Sequence, residues 1–294
     1  MSEKKVREAI ERIKMASEMS LGYYKKPLIC TYSGGKDSDV MLELFRRSGI
    51  PFEVYHSHTT ADAPQTVYHI RKVFKELELQ GIKCNIDYHY LPGGGRTTMW
   101  NLIPKKLMPP TRIARYCCSV LKESGCENRY IATGVRWEES RKRKNRQEFE
   151  KFGHTIKDKE TFTKTILIND NIAERRMSEL CMQQHKMVVN PIIDWKNRDI
   201  WDFINSERIE TCELYKCGYE RVGCVGCPVA GKKRHKEFAD FPKYKSMYIC
   251  AFEKMLNERR KKGKECKWKS GEEVFLWWME DENIPGQMSI EDFI

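Results

Sequence analysis

Six consecutive residues constrain this chain more than any other stretch. Ser33-Gly34-Gly35-Lys36-Asp37-Ser38 follows the apolar run Leu28-Ile29-Cys30-Thr31-Tyr32, and Val40, Met41, Leu44 and Phe45 continue behind it with helical period. A buried strand is therefore expected to enter a glycine turn and leave as a helix. Glycines let the backbone turn tightly and aim successive N–H groups at one point, with no Cβ in the way. The helix N-terminus adds its partial positive charge, so an anion is favoured there. Ser33 and Ser38 supply hydroxyls, Lys36 a point charge, and Asp37 a helix cap or a Mg²⁺ ligand. The spacing is not that of Gly-x-x-x-x-Gly-Lys-Ser/Thr. An ordinary strand–turn–helix with polar surface residues is the plain alternative, but all six residues in this context favour a phosphate-binding loop.

The surrounding pattern gives the fold. Val6, Ala9, Ile10, Ile13 and Ala16 predict an amphipathic helix over 4–20, and Gly49 ends the helix that follows the loop. Phe52–His58 reads as a strand, Pro64 to Leu79 as a helix, and Cys84–Leu91 as a strand before a glycine loop at 92–95. Residues 111–123 read as helical, Tyr130–Val135 as a strand, Thr163–Ile168 and Met187–Ile193 as strands, and Asp199–Ile204 as the start of a short helix. This alternation predicts an α/β fold: a mostly parallel, Rossmann-like sheet with a helical C-terminal appendage. The expected division is 1–205 for the nucleotide-binding domain, 206–230 for a cysteine-rich segment packed on it, and 231–294 for a basic helical region. Ligands of open α/β sheets sit at the carboxyl ends of strands, where both Ser33–Ser38 and Gly134-Val135-Arg136 fall. Arg136 can there meet a phosphate with two parallel hydrogen bonds.

Charge and cysteine placement matter next. Lys and Arg number 53 and Asp and Glu 42, a net charge of +11. Residues 231–269 hold 14 bases and 5 acids, so 14 − 5 = +9 falls there. Lys232-Lys233-Arg234-His235-Lys236 and Arg259-Arg260-Lys261-Lys262, with Trp268, Trp277 and Trp278 nearby, would suit a phosphate backbone and stacked bases; Arg141–Arg146 would add to them. A solvated helical face is the plain alternative. No apolar run nears the roughly 18 residues of a membrane span, and the polar start lacks a signal-peptide core, so a soluble cytoplasmic protein is expected. Among twelve cysteines, Cys117-Cys118, Cys217 and Cys224-x-x-Cys227 sit in tight groups, which in a reducing compartment suggests metal or redox chemistry. By spacing, Cys212, Cys217, Cys224 and Cys227 could grip a structural Zn²⁺, and buried free thiols are a further reading.

At these residues the chain resembles a known family. Ser-Gly-Gly-Lys-Asp-Ser after a first strand resembles the signature of the PP-loop ATP pyrophosphatases, with their adenine nucleotide alpha-hydrolase-like fold. Arg115-Tyr116-Cys117-Cys118, Gly134-Val135-Arg136 with Glu139-Ser140, Pro191-Ile192-Ile193-Asp194-Trp195 and Gly223-Cys224-x-x-Cys227-Pro228 are similar to the branch containing phosphoadenosine phosphosulfate (PAPS) reductase. The resemblance spans about residues 25–230 in the expected order. It implies cleavage of ATP between its α- and β-phosphates: an acceptor oxygen takes the adenylyl group, pyrophosphate leaves, and a sulfur nucleophile follows. Lys36, Asp37 and Arg136 would then be catalytic, and Ser33, Gly34, Gly35, Ser38 and Gly134 would complete the nucleotide site. It also implies a 4Fe-4S cluster on Cys117, Cys118, Cys224 and Cys227, four thiolates being the usual complement of such a cluster.

The chain departs from the reductases of that family. Their C-terminal Glu-Cys-Gly-x-His has no counterpart: Glu265-Cys266-Lys267-Trp268 lacks the Gly and the His, and residues 281–294 hold no cysteine. Their phosphate loop is degenerate, whereas Ser33–Ser38 is intact. The expectation is therefore an ATP-using relative similar to DNA phosphorothioation enzymes or cluster-dependent tRNA thiolases, with a DNA or RNA acceptor and a cysteine desulfurase as sulfur donor. A sulfonucleotide reductase is one alternative, and a nucleic-acid-binding protein that uses nucleotide only as a switch is the other.

Overall fold

The computed structural model describes residues 3–90, 94–141, 143–151 and 186–280. The described helices of eight residues or more are α1 (Glu3–Met19), α2 (Lys36–Ser48), α3 (Pro64–Leu79), α4 (Met99–Lys106), α5 (Asn197–Glu207), α6 (Lys233–Asp240), α7 (Pro242–Lys261) and α8 (Gly271–Met279). The strands are β1 (Leu28–Thr31), β2 (Phe52–Ser57), β3 (Cys84–Asp87), β4 (Tyr130–Ala132), β5 (Phe149–Lys151) and β6 (Met187–Val189).

The strands form one sheet in the order β3-β2-β1-β4-β6-β5. β1 is parallel to β2 and β4, and β4 is parallel to β6. β4 and β6 are buried along their whole length and β1 for all but its last residue. This is why they read as continuous apolar runs rather than as alternating ones. From β1 the chain steps outward to β2 and β3, then returns to the other side of β1 as β4. The carboxyl ends of β1 and β4 therefore flank the switch point of the sheet, the place where such folds bind ligands.

The α/β class, the mostly parallel sheet and the helical C-terminal region are as the sequence predicts. The differences are local. β3 stops at Asp87, whose Oδ1 accepts the His89 N–H at 2.9 Å while His89 turns to φ 43°. Helix over 111–123 is confined to Tyr116–Cys118 and a wider turn at Ser119–Glu123. Ahead of it the Thr111 hydroxyl accepts the Ala114 N–H at 2.9 Å and folds a turn. β6 stops at Val189, because Asn190–Trp195 coils into turns through Ile193 N–H to Asn190 O (3.3 Å) and Trp195 N–H to Ile192 O (3.0 Å). β5, which runs antiparallel to β6, and α4 have no forerunner in the pattern. The predicted strand Thr163–Ile168 and the tail 281–294 lie outside the described residues.

The chain divides into two compact units. One comprises Met1–His56, Gln65–Ile86 and Cys126–Val222 and holds the sheet. Its core packs Leu28, Cys30 and Val54 of the strands against Ala9, Ile13, Leu44, Phe45, Phe74 and Phe203. Arg12 of α1 reaches the Pro191 carbonyl and Asp194, each at 2.8 Å, and Lys5 meets Asp199 at 2.6 Å. The first helix is thereby tied to the turns that follow β6.

The other unit comprises Ser57–Pro64, Asp87–Gly125 and Gly223–Ile294. Tyr248, Phe252, Phe238 and Phe275 gather around Trp278, the Tyr248 ring 4.8 Å and the Phe252 ring 5.3 Å from it. The Trp278 indole donates to the Pro110 carbonyl at 2.6 Å. The Arg234 guanidinium lies 4.8 Å over the same ring and donates to the Trp278 carbonyl at 2.8 Å.

Candidate active site

The phosphate loop is shaped by what its residues can and cannot do. Gly34 has φ +72°, and a Cβ there would lie 2.8 Å from Ile70 Cγ1, so both the backbone angle and the space demand glycine. Ser38, in the first turn of α2, folds the loop back on itself. Its hydroxyl donates to the Gly35 carbonyl at 2.7 Å and accepts the N–H groups of Gly35 (3.1 Å) and Ser33 (3.3 Å). The Ser38 hydroxyl is thus an internal staple of the loop.

Lys36 is buried at the start of α2. Its Nζ donates to the Glu220 carbonyl at 3.3 Å, lies 3.5 Å from Asp37 Oδ2, and sits 5.7 Å over the Tyr215 ring. The Lys36 N–H donates to the Tyr215 hydroxyl at 2.9 Å. Burial pushes the Tyr215 phenol well up, so it stays neutral. A neutral hydroxyl therefore occupies the position at the helix N-terminus where an anion would be favoured. No sequence signal marked Tyr215, because it lies far from the loop in the chain.

Arg136 reaches the loop from the end of β4. It is almost fully buried; its Nε donates to Asp37 Oδ1 at 2.7 Å, and its Nη1 to Glu138 and to the Trp195 carbonyl, each at 3.3 Å. Gly134 lies beside Asp37, where a Cβ would sit in ordinary contact 3.4 Å from Asp37 Cβ. The structure thus brings Ser33–Ser38, Gly134 and Arg136 together. Arg136 faces a carboxylate here, and its fork is held by Asp37 and Glu138. Asp37 Oδ1 serves that pair, and Oδ2 faces the Lys36 ammonium at 3.5 Å.

The second constellation lies in the other unit. The thiols of Cys117 and Cys118 share a hydrogen bond that pushes Cys117 up and Cys118 down, and Arg115 donates to Cys118 Sγ at 3.2 Å, lowering it further. The charges of Cys224 and Cys227 also raise Cys117, so all four thiols share one electrostatic neighbourhood. Cys224 Sγ donates to Thr59 Oγ1 at 3.4 Å and to Asp62 Oδ1 at 3.6 Å, and burial pushes its thiol up to about 12. The Lys122 ammonium is held protonated, first by Cys224.

The Cys224–Cys227 turn is clamped by the backbone. Val225 N–H donates to the Ala61 carbonyl at 2.8 Å, the Tyr248 hydroxyl to the Val225 carbonyl at 3.0 Å, and Gly226 N–H to Glu237 Oε2 at 2.7 Å. Gly226 has φ +74°, and a Cβ would lie 2.4 Å from Phe238 Cζ. Thr59, Asp62, Glu237 and Tyr248 carry no motif, so spacing could not have found them.

A single tetrahedral zinc site needs thiolates about 3.8 Å apart, from Zn–S bonds of about 2.3 Å. Among the described residues no three thiols come within 4.8 Å of one another. Cys212 is buried against Thr66 with its Sγ 3.9 Å from Oγ1.

Of the aromatic part of the expected nucleic-acid face, only Trp277 is half-exposed. Trp278 and Trp268 are buried, as are Arg234 and Arg259; Arg259 donates to the carbonyls of Leu107 (3.0 Å) and Glu265 (2.7 Å). These residues hold the unit together, because an indole or guanidinium with its polar atoms satisfied is well placed in a small helical core. The exposed Lys and Arg side chains of this region are Lys232, Lys233, Lys236, Lys243, Lys245, Lys254, Arg260 to Lys262, Lys264, Lys267 and Lys269. No described helix is long and apolar enough to cross a membrane.

Residues 27–230 match the model of the phosphoadenosine phosphosulfate reductase domain. The uncharacterized protein MJ0973 of Methanocaldococcus jannaschii is 25% identical over 266 residues, covering 86% of this chain and 55% of that protein. The uncharacterized protein MJ0066 of the same organism is 23% identical over 230 residues, covering 74% and 40%. The chain thus spans about half the length of the curated relatives it matches. Among solved structures, the phosphoadenylyl-sulfate reductase of Candida auris in its phosphate complex aligns with TM-score 0.44 and 16% identity over 76% of this chain and 96% of that one. The U34-tRNA thiolase NcsA of Methanococcus maripaludis with its 4Fe-4S cluster aligns with TM-score 0.43 and 16% identity over 92% and 84%. The matched span runs from the entry of β1 to the end of the Cys224–Cys227 turn, and the chain belongs to the phosphoadenosine phosphosulfate reductase domain family.

Proposed function

We propose that this chain is an ATP pyrophosphatase that adenylates an acceptor oxygen, releases pyrophosphate, and so prepares the acceptor for sulfur transfer. The observation that carries this reading is the pairing of an intact Ser33–Ser38 loop with Arg136 at the switch point of the sheet. The chemistry requires positioning and charge neutralisation rather than a covalent intermediate on the protein. The β- and γ-phosphates are cradled by the N–H groups at the start of α2, in the place the Tyr215 hydroxyl now takes. Lys36 neutralises their charge, and Asp37 would hold the Mg²⁺ that ATP carries. Arg136 faces the α-phosphate, with Asp37 and Glu138 orienting its guanidinium.

Cys117, Cys118, Cys224 and Cys227 would hold a 4Fe-4S cluster. Bound there, the cluster would supply an iron–sulfur centre able to handle the incoming sulfur. Arg115 and Lys122 offset the negative charge of the thiolates, and the clamped Cys224–Cys227 turn fixes two of the four ligands in advance. The acceptor is a nucleic acid, met by the exposed lysines of α6 and α7, in the manner of DNA phosphorothioation enzymes or tRNA thiolases. A cysteine desulfurase supplies the sulfur. The proposed layout keeps residues 1–205 for the nucleotide, 206–230 for the cysteines and 231–294 for the polyanion.

The test is product analysis. ATP should yield AMP and pyrophosphate, faster with tRNA or duplex DNA present, and Lys36→Ala and Asp37→Ala should each abolish release. Release that survives both substitutions would falsify the loop assignment. Thio-modified nucleotides, sought by mass spectrometry in cells expressing the chain, identify the acceptor.

A further inference from the structure

The sheet-bearing unit contains a cavity of about 230 Å³ that the phosphate loop does not use. Its walls come from one face of α2 (Leu42, Glu43, Arg46), one face of α3 (Lys72, Val73, Glu76) and the turn at 207–210 that ends α5. Three buried polar side chains, Tyr32, Asp39 and His69, also line it. The Tyr32 hydroxyl donates to Asp39 Oδ1 at 2.5 Å, and His69 Nε2 lies 3.0 Å from both the hydroxyl and Oδ1. Both neighbours thus converge on one carboxylate oxygen. The other, Asp39 Oδ2, is buried and has no hydrogen-bond partner. A buried carboxylate oxygen without a donor costs free energy that a native fold seldom leaves uncompensated.

The rest of the lining indicates which donor fits. It carries five carboxylates against three bases, Arg46, Lys72 and Arg208. Lys72 is already engaged, with both oxygens of Glu210 at 2.6 and 2.7 Å from its Nζ. Arg47 likewise holds Glu43 at 2.9 Å and also Glu207, which leaves Asp39 and Glu76 as the lining carboxylates without a Lys or Arg partner among the described residues, and no donor of the lining reaches Oδ2. An anion has no donor to offer Oδ2, and an apolar molecule would leave it bare. A primary ammonium supplies both the charge and the donor.

We propose that this cavity is a binding site for a small organic ammonium ion, which donates to Asp39 Oδ2 and is held at the rim by Glu76. Tyr32 precedes the phosphate loop by one residue and Asp39 follows it by one, so the ligand would bind beneath the loop and brace it. The site is independent of what the loop itself binds.

Isothermal titration of the full chain with putrescine, at constant ionic strength, tests it. Saturable binding is expected, weakened at least tenfold in Asp39→Asn and several-fold in Glu76→Gln. The second variant alters an exposed rim residue and keeps the test valid should the first fail to fold. Butyrate, the anionic control, should give no saturable heat. Absence of saturable putrescine binding overturns the proposal, as does an affinity unchanged in Glu76→Gln or a match by butyrate.

Discussion

Arg136 Nε lies 2.7 Å from Asp37 Oδ1, joining the end of β4 to the start of α2 across the switch point of the sheet. The pair is nearly buried on the arginine side. We predict that Arg136→Ala lowers AMP and pyrophosphate release by about 10²–10³-fold, the usual loss for one oriented donor at developing charge. Arg136→Lys should rescue little, because an ammonium cannot serve Asp37 and a phosphate with one planar fork. Steady-state pyrophosphate release measures both; a fully active lysine variant would contradict the role given to the fork.

Gly34→Ala should disrupt the loop without touching any charged group. The residue sits at φ +72° with Ile70 Cγ1 2.8 Å from the added methyl. Left-handed backbone at a non-glycine residue costs roughly 1–3 kcal/mol, and the clash adds to it. Thermal unfolding should show a lowered midpoint, and ATP affinity measured by titration should fall together with it.

The thiol site makes a separate prediction. Gly226→Ala would force a methyl within 2.4 Å of Phe238 Cζ and unseat the Cys224–Cys227 turn. After anaerobic reconstitution, this variant should retain much less iron and acid-labile sulfide than the parent, with unchanged AMP release if the loop stays intact. Equal iron content in both would remove the turn from the ligand set.

Asp39 gives a pH dependence with a definite sign. Burial raises its carboxyl above 3.8, against the pull of His69 and Tyr32. The folded state thus keeps a proton that the unfolded chain has lost, so the contribution of Asp39 to stability is full below pH 3.8 and falls as pH rises through its folded pKa. Urea unfolding of the parent and Asp39→Asn should show the parent losing ground to the variant between acid and neutral pH. A constant difference would mean that burial does not raise the Asp39 carboxyl.

Nucleic-acid binding is predicted to depend on the exposed lysines and not on the indoles. Lys232→Ala, Lys233→Ala and Arg260→Ala should each weaken retention of tRNA or duplex DNA and lower the salt slope, by about 0.7–0.9 for each phosphate no longer neutralised. Trp278→Phe should leave that slope unchanged and reduce thermal stability, since the indole donates to the Pro110 carbonyl inside the unit.

Much of this molecule was legible from local pattern. The strand–glycine–helix at Leu28–Ser48 and the parallel α/β alternation are written in residue type and spacing, because glycine angles and helical period are local properties, whereas the set Cys117, Cys118, Cys224 and Cys227 rested on the family resemblance. β5 escaped notice because three residues of an edge strand carry no periodic signal.

Tertiary structure decided the rest. It chose Asp37 as the partner of Arg136, set the Tyr215 hydroxyl on the Lys36 N–H, and put Thr59 and Asp62 beside Cys224. It also turned Trp278 and Arg234 from candidate nucleic-acid contacts into core. Each of these joins residues far apart in sequence. A basic or aromatic residue has the same composition whether it faces solvent or lies buried with its polar atoms paired. Only the packing of the chain, which determines whether those atoms find a partner out of water, separates the two.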